Sequence, residues 1–512
     1  MIRPALLACS FATILASVVV SRSGANPATE PPAATKLGVF TKSSDVGPVK
    51  HAGASVWDGR LDQYEVSGAG TNMWKEKDEF HVVWKKVKGD VILDAQVKFL
   101  GNGVDPHRKL GWIVRTSLDA DSAYADVAVH GDGLTSLQFR RKAGALTEQV
   151  ASTVKAPDVI RLSRKGSKLT MAVAKFGDEL LASEPVELDL GDEVYVGLFV
   201  CSHNPDAVEK GVFSNVRITL PAPADFKPYR DYIGSRLETL DIETGRRKVV
   251  HTVADSMQAP NWDADGKSLV YNRNGKLFRF AFATGRAVEI DTAFATRNNN
   301  DHVLSPDGKL LGISHHSKDH DGKSMIFTLN AAGGTPKLVT AKGPSYLHGW
   351  SPDGQSLLYA GARDGDIDIY RIPVAGGDEV RLTTAKGVDD GPEFTPDGKT
   401  IYFNSERTGL MQIWKMNADG TGQTQVTDDG YNNWFPHVSP DGKSVVVISY
   451  LKGDVTPGDH PFYKRVYLRH LPTAGGPARV IAYVYGGQGT INVSSWSPDG
   501  KRIAFVSNTR DP

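Results

Sequence analysis

The stretch "NNWFPHVSPDGKSVVVI", Asn432–Ile448, has a back half that recurs along the chain and a front half that keeps changing. Five relatives of its "SPDGK" core are "NWDADGKSLVY", "LSPDGKLLGIS", "WSPDGQSLLYA", "FTPDGKTIYFN" and "WSPDGKRIAFV". The glycines of the six copies are Gly266, Gly308, Gly354, Gly398, Gly442 and Gly500, spaced by 42, 46, 44, 44 and 58 residues. That period fits four short strands per unit, so six copies predict six blades of a β-propeller.

The repeated core is conformational chemistry. Proline fixes φ, aspartate bonds the backbone that follows it, and glycine supplies the positive φ that closes a hairpin. The residue just before each turn, Trp262, Leu304, Trp350, Phe394, Val438 or Trp496, is apolar and is expected to pack between blades. The last copy is followed by one further strand, whereas "SRLETLDIETGRRKVV", Ser235–Val250, reads as the outer strands of a blade lacking its inner ones. The two are expected to pair and close the ring, which removes exposed sheet edges.

These repeats, with "MQIWKMNADGTGQTQVT" and "SERTG", resemble the TolB-like propeller family over Tyr229–Pro512. That family's relatives include a periplasmic partner of the Tol system, the propellers of prolyl-oligopeptidase-like enzymes and metal-dependent oligogalacturonate lyases. No "GxSxG" elbow occurs, which disfavours a serine peptidase.

Topology sorts the residues before any activity is considered. In an antiparallel blade the "PDG" turns share one face, and the residues entering each innermost strand crowd the opposite mouth of the channel. Placed there are Asn300, Asp301 and His302; Tyr346 and His348; Asp389 and Asp390; Asn432, Trp434 and His437; Gln488 and Asn492. Loops after second strands add His315, His316, His320, Arg363, Glu406, Arg407, Asp459 and His460. Imidazoles, carboxylates and amides in one place suit either a divalent metal or sugar hydroxyls. The lyase resemblance implies His302, His348, His437 and Gln488 as ligands of a divalent metal ion, and Arg407 as base; Asp390 and His460 are further catalytic candidates. Asn300, Asp301, Tyr346, Asn432, Trp434 and Asn492 are the candidate substrate-binding residues. The sequence departs from those lyases because Gln488 lacks closely following histidines.

The chain has 512 residues, enough for more than one domain. Residues 1–25, "PALLACSFATILASVVV" flanked by Arg3 and a small-residue site, read as an export signal, with a membrane anchor as the alternative. A spacer over 26–36, a domain over 37–220 and a proline-rich connector over 221–228 precede the propeller of 229–512. In the first domain "DVILDAQVKFL" alternates Val91, Leu93, Ala95, Val97 and Phe99 with mostly polar residues, the period of a half-buried strand. This domain resembles concanavalin-A-like jelly rolls in "YEVSGAGTNMWKEKDEFHVVWKKVKGDVILDAQVKF", "GWIVRTSLDADSAYADVAV" and "GVFSNVRITL". The resemblance implies carbohydrate recognition in many members and packing alone in others, so Trp74, Trp84 and Trp112 are candidates either for sugar stacking or for the core.

The expected protein is therefore all-β, a jelly-roll β-sandwich followed by a six-bladed propeller, periplasmic or secreted. Lysine plus arginine balance aspartate plus glutamate at 59 each, which argues against nucleic acid as a partner. No nucleotide cofactor and no membrane span beyond the signal are expected. The leading functional reading is a carbohydrate-binding or carbohydrate-active protein, such as a metal-assisted lyase or hydrolase acting on a polysaccharide or oligosaccharide. The rival is a non-enzymatic module that docks a periplasmic protein.

Overall fold

The computed structural model describes residues 37–227 and 230–512. The expected signal and spacer lie outside the described residues. No helix among the described residues is long and apolar enough to cross a membrane.

Residues 42–219 build two antiparallel sheets, of seven and eight strands. Both sheets supply one apolar cluster. Leu110, Trp112, Val114, Val196 and Leu198 come from the first sheet and Leu93, Ala95, Ile160, Leu162 and Phe213 from the second. Trp112 is thus a core residue, while Trp84 is half-buried, its indole N–H bonding Ser44 Oγ at 3.0 Å. The other face of the seven-stranded sheet departs from simple alternation. It carries Arg115, Tyr124, Asp126, His130, Gln138 and Arg140, all buried. Asp78 neutralises part of that face by pairing with Arg140 at 2.7 Å and Arg115 at 3.7 Å. Cys201 lies in an apolar cluster on this face, and burial pushes its thiol up to about 11, so it packs rather than reacts.

Six blades follow. Five are four-stranded sheets, with innermost strands Gln258–Trp262, Asn298–Leu304, Ser345–Trp350, Asp389–Phe394 and Asn432–Val438. The sixth is the closing blade, in which Arg247–Val253, Ser235–Asp241 and Arg502–Asn508 pair antiparallel in that order. Its innermost position shrinks to one bridge between Trp496 and Ile503. The "PDG" turns do what their chemistry predicts: Gly308 has φ 70° and Asp307 Oδ1 accepts from the Lys309 amide at 3.1 Å. A further element is the preceding Ser305, whose hydroxyl donates to Asp307 at 2.7 Å and, with that amide, pulls the carboxyl down to about 2. Trp350 and Trp496 reach across to the neighbouring blade, donating their indole N–H to the Val303 and His437 carbonyls, both at 2.9 Å.

The two-sheet part is fastened to the closing blade and its neighbour. Val159 and Ala174 share an apolar cluster with Tyr467, Val480 and Tyr483. Glu238, wholly buried on Ser235–Asp241, accepts from Arg217 at 2.7 Å and from Arg247 at 2.8 Å. Burial alone would raise this carboxyl, but the two guanidiniums hold it well below the usual range. A depressed carboxylate contributes stability that is complete above its unfolded value, near 4.5, and is lost as pH falls below it. Glu238→Gln leaves two buried cations short of a counter-charge, so it should lower stability by about 3–5 kcal/mol at neutral pH. Urea midpoints of the two proteins should converge as pH is lowered beneath 4.5.

Candidate functional site

At the mouth end of the ring, the innermost strands of the first five blades all break register. The shifts fall between Gln258 and Asn261, Asn298 and His302, Leu347 and Gly349, Asp390 and Glu393, and Trp434 and His437. A bulge re-aims the residues it contains. Ala259, Gly391 and Phe435 take φ of 54°, 61° and 51° in these bulges. Proline inside "APNW", "DGPEF" and "NWFPHV" is the sequence signal for them, since proline within a strand marks an edge or a bulge.

The channel itself is filled. The segment Gly487–Ser494 is held by the first, third and fifth blades at once. Its Gly489 carbonyl accepts from the Ala259 amide at 2.6 Å and its Ser494 carbonyl from Asn261 Nδ2 at 2.7 Å. His348 Nδ1 lies 3.2 Å from the Asn492 carbonyl, and His437 Nε2 bonds the Ile491 carbonyl. Contacts from alternate blades spaced around the ring put this plug on the axis.

Around the plug lies a buried cluster of titrating groups. His348 Nε2 is 2.9 Å from Asp390 Oδ1, and its ring stacks on Phe435 with centroids 5.7 Å apart. Both of its nitrogens face acceptors, so both donate and the ring is a cation. Burial opposes that charge, but Asp390 and then Asp301 push the imidazole up to about 9. Asp390 answers in kind: burial would raise it, and His348 brings it below its ordinary value. Asp301 is the outlier, pushed up to about 7 by burial, with His348 opposing and Asp390 adding to the rise. Its Oδ2 accepts from Asn299 Nδ2 at 2.8 Å. His460 lies with its ring 4.2 Å from Trp434, its Nδ1 buried and unpartnered, and burial lowers its affinity for a proton. Asp301, His348, Asp390 and His460 therefore do come together, with half-buried Tyr346 near the two carboxylates.

The expected metal ligands do not. Both His348 nitrogens are engaged, as are those of His437, whose Nδ1 bonds Glu393 at 2.7 Å. His302 is buried beside the Val270 carbonyl, 3.3 Å from Nε2, and burial takes it down to about 4. His302, His348 and His437 form no group whose ligand atoms approach within 4.8 Å of one another. They and Gln488 do not fit a shared ion. Arg407 is likewise no base at this mouth. Asp389 and Asp390 are neighbours on a strand and point to opposite faces. Arg407 follows Asp389, pairing with it at 2.7 Å, bonding Ser405 and Gln423, and stacking 4.7 Å over Trp414. Asn432 supports the Met411 amide at 3.0 Å, Asn492 Oδ1 accepts from the Gly489 amide, and Trp434 is wholly buried. These three are scaffold rather than free contact residues.

A cavity of about 820 Å3, lined by His320 and Arg363 among others, lies elsewhere, and a smaller one of about 450 Å3 opens beside the plug. The wall of this second cavity is amide-rich, with Gln258, Asn272, Asn298, Asn299, Asn300 and Gln488, and also carries Tyr232, Phe462 and His316. Three wall atoms, Asn298 Oδ1, Asn300 Nδ2 and Gln488 Oε1, are buried without a hydrogen-bond partner. Asn300 and Gln488 were legible as mouth residues, but Gln258, Asn272 and Tyr232 were not; Gln258 pairs with Asn272 at the edge of the first bulge, and Tyr232 comes from the segment ahead of the closing blade. Glu393, missed in "DGPEF", braces His437 and the Val438 amide at 3.0 Å.

The ion pair at the plug makes a titration prediction. An imidazole raised from 6.5 to about 9 contributes stability that is complete below 6.5 and fades as pH rises through 9. In 13C-histidine NMR, His348 should remain protonated at pH 7.5. Asp390→Asn should bring its midpoint down by about one unit or more.

Comparisons agree with the fold. Residues 348–459 match the PD40 family, the TolB beta propeller domain. An uncharacterised protein of Agrobacterium fabrum is 46% identical over 273 residues, 53% of this chain and 92% of its own length. The solved structure of a protein provisionally named TolB from Agrobacterium tumefaciens is 45% identical, covering 54% of this chain and 99% of that one, with a TM-score of 0.52. An oligogalacturonate lyase in complex with manganese is 17% identical over 53% of this chain and 77% of its own, with a TM-score of 0.33, too distant to bear on chemistry. With six blades, the repeated turn and a relative matched over nearly its whole length, the chain belongs to the TolB-like PD40 β-propeller family.

Proposed function

We propose that the protein is an exported carbohydrate-binding protein that takes an oligosaccharide segment into the amide-lined cavity beside the plug. The observation that carries this reading is the set of unpartnered buried amide atoms, Asn300 Nδ2 and Gln488 Oε1, on the wall of one cavity. A buried polar atom left without a partner costs about 1–3 kcal/mol, so rotation of Asn300 and Gln488 toward the cavity, with a ligand there to bond them, would relieve that cost. One atom donates and the other accepts, and a sugar hydroxyl does both. Neutral amides make up half of the lining, beside Arg297, and Tyr232, 43% exposed, stands next to Phe462, as a ring that covers the apolar face of a sugar would.

Export rests on the N-terminal sequence, and the two-sheet part is read as a concanavalin-A-like jelly roll over 37–220 that helps hold the glycan. Metal-assisted cleavage by His302, His348, His437 and Gln488 is not part of this reading, because the ring nitrogens of His348 and His437 already bond the plug and its braces. The protonated His348 and its two carboxylates serve instead to lock the plug that forms one wall of the cavity.

Isothermal titration of the purified chain against neutral and acidic oligosaccharides tests the proposal. Asn300→Ala and Gln488→Ala should each weaken binding about tenfold, the value of a lost hydrogen bond of about 1–1.5 kcal/mol. Because these atoms bond nothing in the unliganded fold, Asn300→Ala should leave the melting temperature unchanged or raise it. Absence of binding across the panel, together with tight capture of a protein that both variants retain, would favour the docking-module reading and overturn this one.

A further inference from the structure

Away from the propeller mouth, one group of side chains has the makings of a metal site. Among the described residues, His107, His130 and Asp132 form the single set of three whose ligand atoms all lie within 4.8 Å of one another. The local backbone holds them there. His130 ends the strand Tyr124–His130, and the turn after it is stitched to the loop carrying His107. Gly131 N donates to the Arg108 carbonyl at 2.9 Å and Asp132 N to the Pro106 carbonyl at 2.8 Å. Asp132 Oδ1 is used by the Leu134 amide at 2.9 Å, which leaves Oδ2 facing His107 Nδ1 at 4.0 Å.

His130 provides the second observation. It is only 5% exposed, and its Nδ1 is buried with no hydrogen-bond partner. A histidine kept for structure would use that nitrogen on an acceptor, and none is present. The other nitrogen, Nε2, lies 3.4 Å from the Gln138 amide group, whose Oε1 is also buried and unpartnered. With that oxygen turned toward the ring, Nε2 carries the proton and Nδ1 keeps a free lone pair, the arrangement in which a second residue orients a ligating imidazole. Lys109 lies opposite His130 on the neighbouring strand. The Lys109 ammonium itself is drawn off to Asn72 Oδ1 at 3.0 Å and the Met73 carbonyl at 3.3 Å. Arg108 is paired with Glu209 at 2.7 Å.

We propose that His107, His130 and Asp132 bind a borderline divalent cation of the zinc, cobalt or nickel class. Two imidazole nitrogens and one carboxylate oxygen are the donors that such ions prefer over calcium or magnesium, which take oxygen. Donors around such an ion sit about 3.3 Å apart, given bonds of about 2.0–2.1 Å. His107 and Asp132 are exposed and swing onto the fixed His130, and the exposed side gives the ion its entry. Three protein donors leave a position for water or for a ligand group. His203, with its ring 5.4 Å from His107 and its Nδ1 3.2 Å from Asp105, flanks that open side.

The test uses the untagged chain, stripped with chelator and titrated with Co2+. One equivalent should bind with visible ligand-field bands and be displaced by Zn2+. His107→Ala and Asp132→Asn change exposed residues and should fold as the parent does, yet weaken Co2+ binding tenfold or more. His130→Ala should abolish the bands, and His51→Ala should leave them intact. No stoichiometric Co2+ uptake by the parent, or bands that survive in both His107→Ala and Asp132→Asn, would overturn the proposal. Neither result bears on the oligosaccharide cavity, whose residues lie in the propeller and its connector.

Discussion

Everything in this molecule hangs on one closure, the antiparallel pairing of Ser235–Asp241 with Arg502–Asn508. It turns five complete sheets and a divided sixth into a closed ring whose sheets keep only their outer edges, and only a ring has an axis on which a plug can be held. Glu238 sits at the junction and ties together four segments: Arg217 from the two-sheet part, Arg247 and Ser507 from the closing blade, and its own strand. The same carboxylate that seals the ring therefore docks the other half of the protein. A buried ion pair is a modest source of net stability but a strong constraint on which groups meet, because a mispaired alternative strands a charge in the interior.

The mouth shows how the interior partitions charge among like residues. Asp390 keeps its negative charge through His348, whereas Asp301, two blades away on the other side of His348, is pushed toward the neutral form by burial. Two carboxyls close to one imidazolium do not both need to ionise. The resulting cluster is balanced and immobile, since its imidazole is also bonded to the plug and stacked on Phe435. The neighbouring cavity contrasts with it, half of its lining being neutral amides, some with open valences. Rigid charge and unsaturated amides are side by side, and it is the second that has something to offer a ligand.

How much of this the sequence disclosed depends on whether the information is local. The "SPDGK" turn is local: proline, aspartate and glycine set their own dihedrals, so the turn and the blade count could be read from the repeats, and the ring closure from a half-built last blade whose missing strands match Ser235–Val250. The convergence of His348, Asp390 and His460 followed from chain direction and held. Arg407 did not follow, because a strand sends Asp389 and Asp390 to opposite faces and the arginine follows the wrong one. The role of Gly487–Ser494 was not legible either. A long spacing announces extra residues, but whether they stand outside as a loop or turn inward is decided by carbonyls meeting His348 and His437 from other blades, a non-local matter. The bulges occupy middle ground, since their prolines are visible in the sequence while the side chains they redirect are not.

The closure also sets a timetable. Ser235 and Asn508 touch although they lie 273 residues apart. Contacts of such separation cannot form while the intervening polypeptide is still being made, and they are slow to find afterwards because a long loop must be closed first. Until that moment the five locally paired blades can form, but the sixth lacks its last strand and Ser235–Asp241 shows an open edge, so the interval between synthesis and sealing is when this protein is most open to mispairing.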